Sequence, residues 1–271
     1  MNRTESYSSN IHTLTDGRTL AYTCSGASDG TPVVVHHGTP GSRLFAGPLS
    51  DVAATEGVRL ITPDRPGYGR SSTPPSDWTW WDWQSDLTEL LDSMSIDRAA
   101  LLGFSGGGPF AIAAATSEWA SRLGLVSTVI PPAETGLATL SKVPFAVRLL
   151  FWVSSVIATV AGPETVVQQY TDRTVSATIA QAVAEDFDEA LRQDTRAVAR
   201  ECRAFAANTL DSKRVSIPVH AWHGTEDANT PLAPVQAFMN STGGPLEITE
   251  ADHLGTLLDH REDTFRWLDS G

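Results

Sequence analysis

One serine stands among glycines in a setting that suits a nucleophile. Ser105 lies in the run GFSGG at 103–107, directly after a short apolar run that begins at Ala99. A sharp turn between strand and helix needs glycines beside the serine, because larger side chains would collide there. Such a turn lifts the hydroxyl out of the sheet and points the first free N–H groups of the helix at the group attacked. A close-packed turn without chemistry has the same pattern, so partners must be sought elsewhere.

Two later loops offer an acid and a base. The run HGTEDANTP at 223–231 contains Asp227, and the run EADHLG at 250–255 contains His253. Each run directly follows a predicted strand, and ligands of open α/β sheets bind beyond the carboxyl ends of the strands. A histidine can accept a serine proton, and a carboxylate can fix the tautomer of that histidine. Glu226 and Asp252 compete with Asp227 as the acid, and the spacing G-x-x-D-x-x-x-P favours Asp227.

The elements that must position these loops alternate along the chain. Short alternating runs on either side of Asp16-Gly17 predict an N-terminal hairpin. Further strands are predicted at 32–37, 58–64, before Ser105, and at 123–130, 215–222 and 246–249; helices are predicted at 77–94, after Ser105 and at about 256–268. This order predicts an α/β fold with a mostly parallel, doubly wound sheet.

A helical cap is predicted to interrupt the sheet. Residues 133–211 show helical patterns without a convincing strand, so we expect a core formed by 1–132 and 212–271 and a cap formed by 133–211. The apolar stretch 143–161 contains Pro144 and Arg148, which favours a buried helix over a membrane span. Its large side chains form either the core of the cap or the wall of a pocket. The candidate pocket residues are Phe104, Phe145, Leu149 and Trp152.

Composition limits the classes of partner. The 271 residues are 41% apolar and 19% charged, as expected for one large α/β domain. A net charge of -13 argues against binding of nucleic acid or of anionic membranes. Two distant cysteines and a polar start without a secretory signal predict a cytoplasmic protein. We expect no metal and no cofactor, since neither ligand spacing nor a dinucleotide fingerprint is present. The expected partner is a small-molecule substrate, and a homo-oligomer stays open.

The chain resembles the α/β-hydrolase superfamily over nearly its whole length. Five motifs occur in the family's order: HGTPG at 37–41, DRPGYGRS at 64–71, GFSGG at 103–107, the loop at 224–231, and DH at 252–253. The resemblance implies an α/β-hydrolase fold in which Ser105 is the nucleophile, Asp227 the triad acid and His253 the general base. It also implies that backbone N–H groups of Thr39 and Gly106 form an oxyanion hole.

One residue departs from the family's pattern. Asp252 stands where members usually have glycine before the histidine, which is expected to shift the turn or to perturb His253 electrostatically.

These residues predict a serine hydrolase that works through an acyl-enzyme. The simplest activity is that of a carboxylesterase for a small to medium, mainly apolar ester. C–C bond hydrolase, lactonase, peptidase, acyltransferase and perhydrolase activities use similar triads, and the fold cannot choose among them. A ligand-binding receptor that retains the fold without turnover is a further alternative. Serine at the nucleophile position argues against dehalogenase or epoxide hydrolase chemistry, which the family performs through an aspartyl ester.

Overall fold

An eight-stranded sheet forms the centre of the computed structural model, which describes residues 9–143 and 145–270. The strands are β1 (Asn10–Thr13), β2 (Thr19–Gly26), β3 (Thr31–His36), β4 (Val58–Pro63), β5 (Ala99–Phe104), β6 (Ala120–Val126), β7 (Val219–Gly224) and β8 (Leu246–Thr249). They lie in the order β1-β2-β4-β3-β5-β6-β7-β8. Strand β2 runs antiparallel to β1 and β4, and the other neighbours are parallel. The predicted fold class is confirmed.

Helices cover both faces of this sheet. The α-helices of the described residues are α1 (Ser50–Thr55), α2 (Trp83–Ser93), α3 (Gly108–Ala114), α4 (Gly136–Leu140), α5 (Ala146–Ala161), α6 (Pro163–Val167), α7 (Ala177–Ala190), α8 (Arg196–Ala207), α9 (Leu232–Thr242) and α10 (His253–Asp269). Side chains alternate along a strand, so Val34 packs with α2, α3 and α9, whereas Val33 and Val35 pack with α1 and α10. Both faces of the sheet are therefore buried from solvent, which explains the continuous apolar runs of the central strands. Sequence patterns predicted neither α1 nor α9.

The N-terminal hairpin follows the prediction. Ile11 pairs with Ala21, and Gly17 adopts a φ of +85° in the connecting turn. This left-handed conformation is easily adopted only by glycine, which is why Asp16-Gly17 ends one strand and begins the next.

Several helices and strands begin at other residues than predicted. Helix α2 begins at Trp83 rather than Asp77, because the Asp82 carboxylate accepts hydrogen bonds from Thr79 N–H (2.7 Å) and Thr79 Oγ1 (2.9 Å) and forms a separate turn. Strand β7 begins only after Pro218, which has no N–H to donate to a sheet. Helix α10 begins at His253 rather than near Thr256.

Five helices, α4 to α8, lie between β6 and β7, and no strand lies among them in the described residues 127–143 and 145–218. We call residues 133–211 the cap segment; its independence as a domain stays a prediction. Helix α5 is not the buried helix expected from its sequence. Of its residues only Val147 and Phe151 are buried, while Val156 and Val160 are 47% and 84% exposed. It lies on the outside of the cap segment and packs through one face only. Nowhere in 9–143 and 145–270 does a helix have the length and apolarity needed to cross a membrane.

Candidate active site

Ser105 occupies the sharp turn predicted for it. It follows β5 directly and has a φ of +53°, a left-handed conformation that is uncommon outside glycine. A 3₁₀ turn at Ser105–Gly107 then leads into α3. A Cβ atom on Gly106 would overlap the side chain of Thr39, and one on Gly107 would overlap the carbonyl groups of His36 and His37. The glycines therefore let the turn pack against the loop that follows β3.

Asp227 and His253 form a short hydrogen bond. His253 Nδ1 lies 2.7 Å from Asp227 Oδ2, and both side chains are buried. Backbone N–H groups of Asn229 and Thr230 each donate to Asp227 Oδ1 at 2.9 Å. Burial raises the pKa of Asp227, but the bond from His253 and those from Thr230 outweigh it and lower the pKa to about 2. An ionised carboxylate makes Nδ1 the donor, so Nε2 of His253 is left as the acceptor.

Packing fixes the orientation of the His253 ring. The Phe104 ring lies 4.9 Å from it, and the Tyr170 ring of the cap segment stacks at 6.3 Å, both measured between centroids. Ser127 Oγ donates to the carbonyl of His253 at 3.1 Å. Phe104 and Tyr170 thus hold the ring, and Ser127 holds the backbone of His253 at the start of α10.

The loop after β3 presents a free donor beside the serine. Among the described residues, the backbone N–H of Thr39 has no hydrogen-bond acceptor, and the Gly106 N–H lies in the first turn of a helix, where acceptors are lacking. His37 supports this loop: its Nε2 accepts the N–H of Arg65 at 3.2 Å and its Nδ1 bonds the carbonyl of Gly38 at 2.9 Å. Burial and the nearby Arg65 charge hold the pKa of His37 well below its usual value. The ring is therefore neutral and structural.

A salt bridge holds the other end of this loop. Arg43 Nη1 lies 2.8 Å from Asp64 Oδ2 and 2.6 Å from Glu189 Oε1 on α7. Arg43 and Asp64 therefore tie loops together, and neither lines the cavities at Ser105.

Two cavities meet at Ser105. The larger has a volume of about 210 Å³ and the smaller about 30 Å³, and Thr39, Pro40, Ser105 and Tyr170 line both. No charged side chain of the described residues lines the larger cavity. The smaller one contains Asp186 of α7, whose burial raises its pKa to about 7 against the opposing effect of two bonds from Ser42. The larger cavity is thus suited to a neutral group.

The prediction for the pocket wall needs correction. Phe104 lines the smaller cavity, but Phe145, Leu149 and Trp152 are 66%, 53% and 59% exposed and line a hollow on the outer side of α5. Leu150 and Phe151 line the larger cavity instead. Side chains of successive helical residues point about 100° apart around the helix axis. If the wrong face of an apolar helix is assigned to the cavity, every predicted contact is therefore misplaced.

Some residues of the site were not predicted from the sequence. Tyr170, Asn229 and Phe205 line the larger cavity, and nothing in their spacing singles them out. Glu201 is different, because it lies on the apolar stripe of α8 formed by Ala197, Val198, Cys202 and Phe205. A carboxylate in such a stripe must have buried partners, and this signal could have identified it.

Asp252, the competing candidate for the acid, caps a helix. Its Oδ1 accepts the N–H of Gly255 at 2.7 Å, while Oδ2 accepts Thr171 Oγ1 at 2.7 Å and the Asp172 N–H at 3.0 Å. The residue thus begins α10 and ties it to the cap segment beside Tyr170. Within 9–143 and 145–270, no group of three or more His, Cys, Asp or Glu side chains is placed to hold a metal ion.

Comparison with known proteins agrees with this architecture. The family model of the alpha/beta hydrolase fold matches residues 31–149, which include the loop after β3 and the Ser105 turn. The chain has the α/β-hydrolase fold and is similar in sequence to that family over residues 31–149.

The proteins to which this chain is similar carry several different names. A non-heme chloroperoxidase of Streptomyces lividans is 28% identical over 238 residues, which are 82% of this chain and 83% of that protein. A proline iminopeptidase of Lactiplantibacillus plantarum is 39% identical over 89 residues, 31% of each chain. The structure of an esterase from Exiguobacterium antarcticum superposes with a TM-score of 0.70 at 21% identity, covering 96% of this chain and 98% of that one. The comparisons thus show the α/β-hydrolase fold, and the solved structures that share it include an esterase.

Proposed function

We propose that this α/β hydrolase is a carboxylesterase that acts through an acyl-enzyme on Ser105. The observation that carries the proposal is the 2.7 Å bond between His253 and an ionised Asp227, at the same sheet edge as a serine in a strained turn. Backbone strain in a non-glycine residue is tolerated where function requires it.

In the proposed reaction, His253 Nε2 accepts the proton of Ser105 Oγ as Oγ attacks the ester carbonyl carbon. The carbonyl oxygen becomes an oxyanion, to which the N–H groups of Thr39 and Gly106 donate. The C–O bond to the alcohol then breaks, and His253 returns the proton to the departing oxygen. Water repeats these steps on the acyl-enzyme, releasing the acid and free Ser105. Asp227 keeps Nδ1 protonated and stabilises the imidazolium.

The cavities support a neutral ester of modest size. Ligand pockets for drug-sized molecules commonly measure about 300–1,000 Å³, and the larger cavity here has about 210 Å³. Its wall combines apolar side chains with neutral polar ones such as Gln169 and Asn229. An N-terminal proline carries a cationic amine, and this wall offers no carboxylate to pair with it. Ester hydrolysis is therefore favoured over the activity named for the peptidase relative.

The experiment combines labelling with turnover. A fluorophosphonate should label the wild-type protein once, at Ser105, and a panel of p-nitrophenyl esters should be hydrolysed. Ser105→Ala should abolish labelling and lower kcat by about 10³-fold or more. Ser93→Ala is the control, since Ser93 is an exposed serine at the end of α2 that lines neither cavity, and it should retain labelling and turnover. Labelling without turnover of any carbonyl substrate would favour a receptor, and full turnover by Ser105→Ala would overturn the proposal.

A further inference from the structure

A carboxylate of the cap segment is buried beside the loop that holds Thr39. Glu201 lies on α8, is only 2% exposed, and occupies the apolar stripe of that helix. An unpaired carboxylate in such a place would destabilise the fold, so its partners define what it does.

Four hydrogen bonds satisfy this carboxylate. Oε1 accepts Arg65 Nε at 2.8 Å, and Oε2 accepts Arg65 Nη2 at 2.8 Å, Tyr68 Oη at 2.8 Å and Thr39 Oγ1 at 2.6 Å. Arg65 and Tyr68 are fully buried. Both carboxylate oxygens are thus engaged by the protein, and Glu201 is not free to bind a substrate amine.

Arg65 extends this contact to the backbone of the loop. Its Nη1 donates to the carbonyl of His37, and its Nη2 donates to the carbonyl of Gly38 at 3.0 Å. Nη2 also lies 3.0 Å from Thr39 Oγ1. The peptide group that contains the Thr39 N–H, and the one before it, are therefore fixed by the Arg65 guanidinium. Glu201 in turn sets the orientation of this guanidinium.

We propose that Glu201 is a positioning residue that aims the Thr39 N–H at the oxyanion. It acts through the Thr39 hydroxyl and through Arg65, and it does so from the cap segment. The inference rests on the proposed esterase function, because it needs an oxyanion to stabilise. Removal of an oxyanion donor costs about 10²–10³-fold in kcat, so a donor that is retained but misdirected should cost about 10–100-fold.

The test compares two carboxylates of the cap segment. In Glu201→Gln, an amide replaces a carboxylate that accepts four hydrogen bonds. We expect kcat on a neutral ester to fall about 10–100-fold, with KM changed less than about threefold. Glu185→Gln is the control, because Glu185 of α7 is exposed, accepts a bond from Gln181 at 2.8 Å and lines neither cavity at Ser105. Its kcat should stay within about twofold of wild type.

A second pair of variants keeps the inference testable if Glu201→Gln fails to fold. Thr39→Val retains the backbone N–H and the Arg65–Glu201 pair but lacks the hydroxyl, and its kcat should fall about tenfold; Thr39→Ser keeps the hydroxyl and should restore kcat to within about twofold. Unchanged kcat in a folded Glu201→Gln, or in Thr39→Val, would overturn the inference. So would a loss expressed only in KM.

These outcomes are separate from failure of the proposed function. If the wild type neither hydrolyses esters nor reacts with a fluorophosphonate, both proposals fall. If the wild type is active and Ser105→Ala is not, the variants at Glu201 and Thr39 decide the inference alone.

Discussion

His253 Nδ1 lies 2.7 Å from Asp227 Oδ2, and the two side chains are 1% and 0% exposed. A hydrogen bond between an ionised carboxylate and a buried ring is stronger than a neutral one. The bond fixes both the tautomer and the tilt of the imidazole.

Replacement of the acid should therefore disable the base. Asp227→Asn offers an amide that can donate to Nδ1, which places the proton on Nε2, where an acceptor is needed. We expect kcat on esters to fall by about 10³–10⁴-fold with a small change in KM. Glu226→Gln is the control, since Glu226 is the exposed neighbour and should retain full activity. Comparable kinetics for the two variants would argue against Asp227 as the acid.

Asp186 should make stability depend on pH. Its pKa is raised to about 7 by burial in the folded state and is near 3.9 in the unfolded chain. The folded state thus binds more protons between these values, so this residue's contribution to the free energy of unfolding falls as pH rises from about 4 to 7.

Asp186→Asn is expected to remove this part of the pH dependence. The amide oxygen can still accept the two bonds from Ser42, which now end on Oδ1 at 2.7 and 2.8 Å. Urea unfolding of both proteins at pH 5, 6, 7 and 8 measures the difference. The variant should gain stability relative to wild type as pH rises, and parallel curves would contradict the pKa assigned to Asp186.

Two adjacent residues of α5 should differ in their effect on specificity. Phe151 lines the larger cavity and Trp152 faces outward. Phe151→Ala should widen the cavity and move the optimum of kcat/KM toward longer substrates, whereas Trp152→Ala should leave the profile unchanged.

An acyl-length series and an alcohol-length series, measured separately, also reveal which part of the ester enters the larger cavity. Loss of the Phe151 ring costs about 3–5 kcal/mol of stability, so the rates should be measured well below the melting temperature of each variant. A shift in Trp152→Ala, with none in Phe151→Ala, would reverse the assignment of the faces of α5.

Asp252 should contribute to stability as a helix cap. Asp252→Ala removes the bond to Gly255 N–H and the two bonds to Thr171 and Asp172. We expect a loss of about 1–2 kcal/mol, seen as a decrease of a few degrees in Tm. Asp263→Ala on the exposed side of the same helix is the control and should change Tm little. An equal Tm for Asp252→Ala and wild type would show that the cap is energetically neutral.

Local patterns predicted the sheet and the loops at its edge well. The Asp16-Gly17 turn, the buried strands and the GFSGG turn are determined by neighbours in sequence, since turn conformation and apolar runs are local properties. Ser105 directly follows β5, and Asp227 and His253 lie shortly after β7 and β8, so parallel strands bring all three to one edge of the sheet. Their roles were assigned by resemblance to the α/β hydrolases. The roles assigned to these residues stay predictions until the variants are measured.

The cap segment was harder to predict for a physical reason. Helix α5 is apolar on nearly every side, so its periodicity does not say that Phe151 faces the cavity and that Trp152 faces away. Tyr170 contacts the His253 ring from the turn after α6, and the position of this turn depends on contacts distant in sequence. Asp82 likewise delays α2 through a hydrogen-bonded turn that helical spacing does not encode.

Glu201 contacts two residues that are distant in sequence: Thr39, 162 residues away, and Arg65, 136 residues away. The cap segment is consequently not a module that can be exchanged freely between proteins of this fold. A chimera that takes residues 133–211 from another such protein without a carboxylate at the place of Glu201 would leave Arg65 buried without its counter-charge. Substitutions at these three positions must therefore be inherited, or engineered, together.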